Sequence, residues 1–314
     1  MLNRRQLRIK VLQALYAYYQ SEEKDLAKAE KQLFFSLDKV YELYLYLLLL
    51  IVEMQRLAID KIETGKNKRL PSKEELTPNT KFVTNTHLRL LSNSKKLAKK
   101  AEESGVSWQD NPDVVKKVFK MLIETDEYKE YMESAERGFD HDKEYLLKFF
   151  KKYLINDEGI QEYFEEKSIF WNDDLDLMAG MVLKTIKLME TSHDDVELLE
   201  LWKDPEDEIH FAKTLLGQTL ILGEENAKDI DECTKNWELE RIAVIDIILM
   251  KMALAEARAF KSIPLKVTLN EYIELSKYYS TPKSNGFING VLDQLFAKQR
   301  ESGKIVKTGR GLIE

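Results

Sequence analysis

From residue 3 to residue 20 the apolar positions Leu7, Val11, Leu15 and Tyr18 recur at the three-to-four-residue spacing of one helical face. Asn3 with Gln6 three residues on is the pattern of a capping box, so a helix is expected to start there and run to about Gln20. Arg4, Arg5, Arg8 and Lys10 fall largely outside the stripe and are expected to face solvent or a ligand. A second helix is expected over 26–63. Its 43–52 stretch is apolar nearly all round, which predicts burial by several neighbours. Residues 64–82 carry Gly65, Pro71 and Pro78 and predict a long, exposed, mobile loop. Helical periodicity then covers 86–103, 113–134, 141–154, 174–190, 204–222, 236–260, 268–280 and 284–299, with no repeat period.

The last two of these helices have the clearest start signals. Thr268 and Glu271 match a capping box, Pro282 stops the first helix, and Ser284 offers a new N-cap ahead of Phe287, Ile288, Val291, Leu292 and Leu295. A tail over 303–311, with Lys304, Lys307 and Arg310 among glycines, is expected to fray.

Composition agrees with an all-α class: 44% of the 314 residues are hydrophobic, and only 12 Gly and 6 Pro interrupt the periodic segments. The formal net charge of -7 argues against a surface that is basic throughout, so any nucleic-acid site must be local. Four basic residues precede the first acid, Glu22, whereas 190–232 is crowded with Asp and Glu. One cysteine, Cys233, excludes an intramolecular disulfide and a Cys-based metal cluster. With no signal-like apolar segment at the start, and a longest apolar run about half of the roughly 20 residues that span a bilayer, a soluble cytoplasmic protein is expected.

Three places could carry chemistry. Arg4 and Arg5 sit in a first helical turn, where the dipole disfavours cations by a few tenths of a kcal/mol up to about 1 unless an anion compensates. RNA phosphate would supply that anion, although basic N-termini are also common solvated faces. The connection 281–285, leading into Phe287 and Asn289, combines a helix N-terminus, hydroxyl and amide groups and an aromatic ring, which suits single-stranded RNA. The same residues also suit a plain cap and a core anchor. Glu256 lies near a helix end, where the dipole disfavours acids, and reads as an exposed protein anchor or a solvated end. Asp246, in the apolar stretch before it, is expected to be a partnered structural acid.

Catalytic templates fit poorly. His87, His141, His193 and His210 form no H-E-x-x-H pair, and there is no P-loop, G-x-G-x-x-G or G-x-S-x-G. No enzyme, metal or cofactor is expected.

The segments N-R-R-Q-L-R-I-K-V-L-Q-A-L-Y, W-E-L-E-R-I-A-V-I-D-I-I-L, I-P-L-K-V-T-L-N-E-Y-I-E-L-S-K and S-N-G-F-I-N-G-V-L-D, in that order, resemble the NusB family of bacterial transcription antitermination factors. A weaker likeness covers 174–189. The resemblance implies an all-α bundle of two small subdomains that binds boxA-type single-stranded RNA of ribosomal RNA transcripts. It also implies a partner, the small-subunit ribosomal protein NusE, and read-through by the RNA polymerase antitermination complex. Carried onto this sequence, the RNA role falls on Arg4, Arg5, Arg8, Lys283, Ser284 and Phe287, and the NusE contact on Glu256.

Residues 22–171 stand out as an inserted helical region between an arginine-rich first helix at 1–21 and a main NusB-like part at 172–300, with a basic tail at 301–314. Lys283 stands where the family often has an acid, which strengthens phosphate attraction and loosens base discrimination. Two rivals remain: a NusB-like domain related to RNA cytosine methyltransferases, which would need Gly-rich cofactor turns and a nucleophilic Cys, and a protein-only helical scaffold.

Overall fold

The computed structural model describes residues 2–234 and 242–312. Residues 235–241, with Trp237 and the start of the helix expected over 236–260, lie outside the described residues. Among those described, every regular element is helical. In chain order these are α1 (Arg4–Gln20), α2 (Leu26–Lys66), α3 (Lys73–Leu76), α4 (Thr86–Ser92), α5 (Lys95–Glu103), α6 (Pro112–Glu124) and α7 (Asp126–Glu133). Next come α8 (Phe139–Phe149), continued by a π-helical turn Phe150–Leu154, then α9 (Glu158–Lys167) and α10 (Leu175–Leu188). The last are α11 (Pro205–Ile221), α12 (Gly223–Cys233), α13 (Val244–Ala259), α14 (Leu265–Tyr279), α15 (Ser284–Glu301) and a 3-10 turn Gly309–Leu312. None of these helices is long and apolar enough to cross a membrane.

The chain forms two compact units, one of Met1–Ser36 with Trp202–Glu314 and one of Leu37–Leu201, so the boundary falls inside α2. In the first unit α13 is central. It packs against α1, α11, α12, α14 and α15, and Leu249, Met250, Met252, Ala253, Leu254, Ala255 and Ala257 are all fully buried. A helix apolar on every side needs neighbours on every side, and these five provide them.

The tail of this unit is docked, contrary to the expected fraying. Ile305 is buried and its N–H donates to Gln299 O, while the Thr308 N–H donates to Lys261 O and Lys307 Nζ donates to Phe260 O. Lys304 bridges Asp229 and Glu225. Gly311 is pressed so close that a Cβ there would lie 2.0 Å from Lys261 O, which leaves glycine as the residue that fits.

In the second unit the apolar run of α2 is buried as expected, with Leu43, Tyr44, Leu47, Leu48, Leu50 and Ile51 inaccessible. Aromatic rings close around Tyr46: Trp108 at 5.4 Å and Trp171 at 5.6 Å between centroids. Both indole N–H groups reach α2 carbonyls, Trp108 to Tyr46 O at 3.0 Å and Trp171 to Lys39 O at 2.6 Å.

Two expected helices are split by side-chain caps. Ser94 accepts from the Leu97 N–H and divides 86–103, and Thr125 accepts from the Tyr128 N–H and divides 113–134. The expected loop at 64–82 contains α3, closed by a Ser72–Glu75 capping box, and ends in buried Lys81 and Phe82. α9 and α12 were not among the expected helices.

His87 is fully buried in this second unit, with its ring 4.2 Å from that of Phe139 and neither ring nitrogen hydrogen-bonded. Burial, reinforced by nearby Lys143, holds its pKa down to about 4 from 6.5. As pH falls from 6.5 the unfolded chain takes up this proton before the folded one does, so stability is lost until about pH 4. His87→Leu is expected to remove about 2 kcal/mol of that acid sensitivity. Urea unfolding of wild type and variant, read by tryptophan fluorescence at pH 7 and pH 4.5, checks it; an equal loss in both proteins would contradict it.

Candidate nucleic-acid interface

The Asn3–Gln6 capping box is present: the Asn3 side chain accepts from the Arg5 and Gln6 N–H groups, and Gln6 Oε1 accepts from the Asn3 N–H. This places three arginines within the first two turns of α1. Each meets a carboxylate from another helix. Arg4 Nη2 donates to Asp207 Oδ2 at 2.9 Å, and Arg5 donates to both oxygens of Glu271 at 2.7 and 3.0 Å. The anions that compensate the first-turn cations are therefore protein carboxylates. Both arginines stay near the surface, with side chains 38% and 47% exposed.

Arg8 is a different case, and the expectation that it faces solvent or RNA is corrected: its side chain is 3% exposed. Arg8 Nε and Nη2 each donate to one oxygen of Glu256 at 2.7 Å, and Nη1 reaches Glu271 Oε2 at 3.3 Å. Lys10 is buried too, so that part of the expected basic face is also interior. The helical stripe is wider than its aliphatic residues suggest, because the Arg stem packs and the guanidinium finds a buried partner.

Glu256 is fully buried, which corrects the readings of it as an exposed anchor or a solvated helix end. Thr268 Oγ1 donates to its Oε1 at 3.0 Å and Tyr272 OH to its Oε2 at 2.9 Å, so both oxygens are doubly satisfied. Burial opposes the charge of Arg8, but the bonds and charge of Glu256 outweigh it and the guanidinium is held more firmly protonated than usual. Burial and the Glu256 charge push the Tyr272 hydroxyl well up. The Arg5 hydrogen bond, with Arg8 nearby, holds Glu271 below the usual carboxylate range.

The Thr268–Glu271 capping box is not formed. α14 starts at Leu265 after Pro264, whose fixed φ suits a helix start, so Thr268 and Glu271 are interior helical positions turned toward α13 and α1. Ser284 is likewise buried and does not stand open to a ligand. Its hydroxyl donates to Asp246 Oδ2 at 2.7 Å and lies within 3.0 Å of the Ser280 and Thr281 hydroxyls. Asp246 is thus the partnered structural acid expected. At the same corner Lys283 is exposed and Phe287 half-buried.

Asp246 and Glu256 sit ten residues apart on α13, about 15 Å of helix. One holds the α14–α15 corner through Ser284 and the other holds α1 through Arg8. Two segments at opposite ends of the sequence are thereby fixed on one helix, with Arg4, Arg5, Lys283 and Phe287 left at or near the surface. Asp207, Thr268 and Tyr272 were missed as partners. The signal available was that a Glu inside an apolar helix demands donors, and Thr268 and Tyr272 share one face four residues apart. Among the described residues no group of side chains could hold a metal ion.

A family model described as the NusB family matches residues 174–297. A protein of Salinibacter ruber named transcription antitermination protein NusB is 41% identical over 138 residues, covering 42% of this chain and 86% of that protein. A protein of the same name from Natranaerobius thermophilus is 32% identical over 107 residues, 32% of this chain and 77% of the relative. Another from Chloroherpeton thalassium is 44% identical over 94 residues, 29% of this chain and 44% of the relative. No solved structure gives a significant match. α10 lies within the matched range, although it packs in the second unit.

Removing one member of the Arg8–Glu256 pair leaves a buried charge uncompensated. Arg8→Met and Glu256→Leu are each expected to lower stability by about 3–5 kcal/mol, and the two together by clearly less than the sum. Urea unfolding followed by circular dichroism measures this; additive losses would show that the two side chains act independently.

Proposed function

The chain belongs to the NusB family, and we propose that it serves transcription antitermination by binding boxA-type single-stranded RNA of ribosomal RNA transcripts together with NusE, within the RNA polymerase antitermination complex. The observation that carries this reading is the double attachment to α13, which holds the arginine helix and the Lys283–Phe287 corner in one unit. Arg4 and Arg5 keep half-exposed side chains on which phosphate competes with Asp207 and Glu271, Lys283 adds an exposed cation, and the half-buried Phe287 ring borders the corner. Arg8, Ser284 and Glu256 hold this surface in place from inside. With Glu256 buried, the NusE contact rests on family membership alone.

The three relatives bear the name of an antitermination protein, so the methyltransferase-related reading is not favoured. A scaffold without RNA binding is an outcome of the test below.

Competition between boxA-containing and scrambled single strands, with and without NusE, is expected to favour boxA and to do so more strongly with NusE. Affinity should fall by about 0.7 log units per decade of salt for each phosphate neutralised. Arg4→Ala with Arg5→Ala should flatten that slope by roughly 1.4 while leaving the fold intact. An unchanged slope would remove the arginine helix from the RNA site, and NusE binding without any preference for boxA would favour the scaffold.

A further inference from the structure

Tyr278, in the last turn of α14, is 79% exposed, the most exposed large hydrophobic side chain among the described residues of its unit. It follows Glu271 by seven residues. That spacing returns to the same helical stripe two turns on, about 10.5 Å along the axis. Glu271 is the residue that holds Arg5, so the stripe that meets α1 at one end carries an open tyrosine ring at the other. Immediately beyond Tyr278, α14 ends and the chain turns through Thr281 and Pro282 to Lys283.

The charges on this stripe suit an anionic strand better than the residue types suggest. Glu271 is neutralised by Arg5 and Arg8, and Glu274 by Lys277, so neither acid stands alone against a phosphate. The exposed Lys283 supplies a cation at one end of the stripe, and at the other Arg5, half-exposed, is already paired with Glu271. An aromatic ring lying open beside an exposed cation, on a stripe whose acids are paired, is an arrangement that single-strand binding uses: backbone charges hold the phosphates and the ring takes a base.

We infer that Tyr278 is a stacking platform for an unpaired base of single-stranded RNA, set between Arg5 and the Lys283 corner. The inference rests on the RNA-binding reading above and adds to it a base contact on α14. Stacking uses the face of the ring and not its hydroxyl, so phenylalanine should serve there and alanine should not. Because no phosphate contact is lost, the number of neutralised phosphates should not change with the ring.

The test uses the full chain and fluorescently labelled single strands, boxA-containing and scrambled, titrated by anisotropy at several salt concentrations. Tyr278→Ala is expected to weaken RNA binding roughly tenfold with the salt slope unchanged, and Tyr278→Phe to bind within about twofold of wild type. In a series of strands with one base at a time removed, one position should lose a similar factor against wild type and almost nothing against Tyr278→Ala. Alanine binding as tightly as tyrosine overturns the proposal and leaves the RNA reading standing. So does a loss confined to NusE association, which would make Tyr278 a protein contact. Failure of wild type to bind any single strand overturns both.

Discussion

The Arg8–Glu256 ion pair is the constraint on which the first unit is arranged. Both charges are out of water, and desolvating them costs several kcal/mol each unless geometry and hydrogen bonding restore it. Here a bidentate fork joins the two, Thr268 and Tyr272 complete the Glu256 oxygens, and Glu271 takes a further guanidinium N–H. Four of the five side chains belong to α1 and α14, and Glu256 lies between them on α13. Because a partly satisfied network is worse than an apolar core, these three helices can meet in only one register without a penalty. Such a pair contributes specificity more than stability, and what it specifies is the position of the arginine helix.

A weaker version of the same device operates at the other end of α13. Asp246 accepts from Ser284, and the Ser280 and Thr281 hydroxyls gather on the same oxygen of Ser284. The polar residues that a sequence reading assigns to ligand contact are thus divided between two jobs. Those facing α13 hold the surface in shape, and Arg4, Arg5 and Lys283 stay at the surface, with Phe287 half-buried beside them.

Local signals were legible where the answer depends on neighbours in sequence. The Asn3–Gln6 capping box, the buried run of α2 and the all-helical class follow from spacing and cap chemistry alone. Thr268 and Glu271 show the limit: the spacing is right for a cap, but Thr268 is claimed by Glu256 on the preceding helix and Glu271 by Arg5, 266 residues away, and Pro264 starts the helix a turn earlier. Arg8 and Ser284 fail for the same reason. A residue type says what a group can bond to, whereas burial decides what it does bond to, and burial here is set by contacts across more than 240 residues in the case of Arg8 and Glu256. The helix breaks at Ser94 and Thr125 were visible as cap residues, yet the amphipathic period runs through them and hides the break.

The division of the chain into nested units has a consequence for synthesis. Arg8 leaves the ribosome 248 residues ahead of Glu256, with all of Leu37–Leu201 made between them. At roughly 5–20 residues per second, α1 waits between about ten and fifty seconds for the carboxylate that completes it. During that interval the second unit already has its whole sequence and can form its own core. α1 is therefore made early and packed late, and its arginines meet water before they meet Asp207, Glu256 and Glu271.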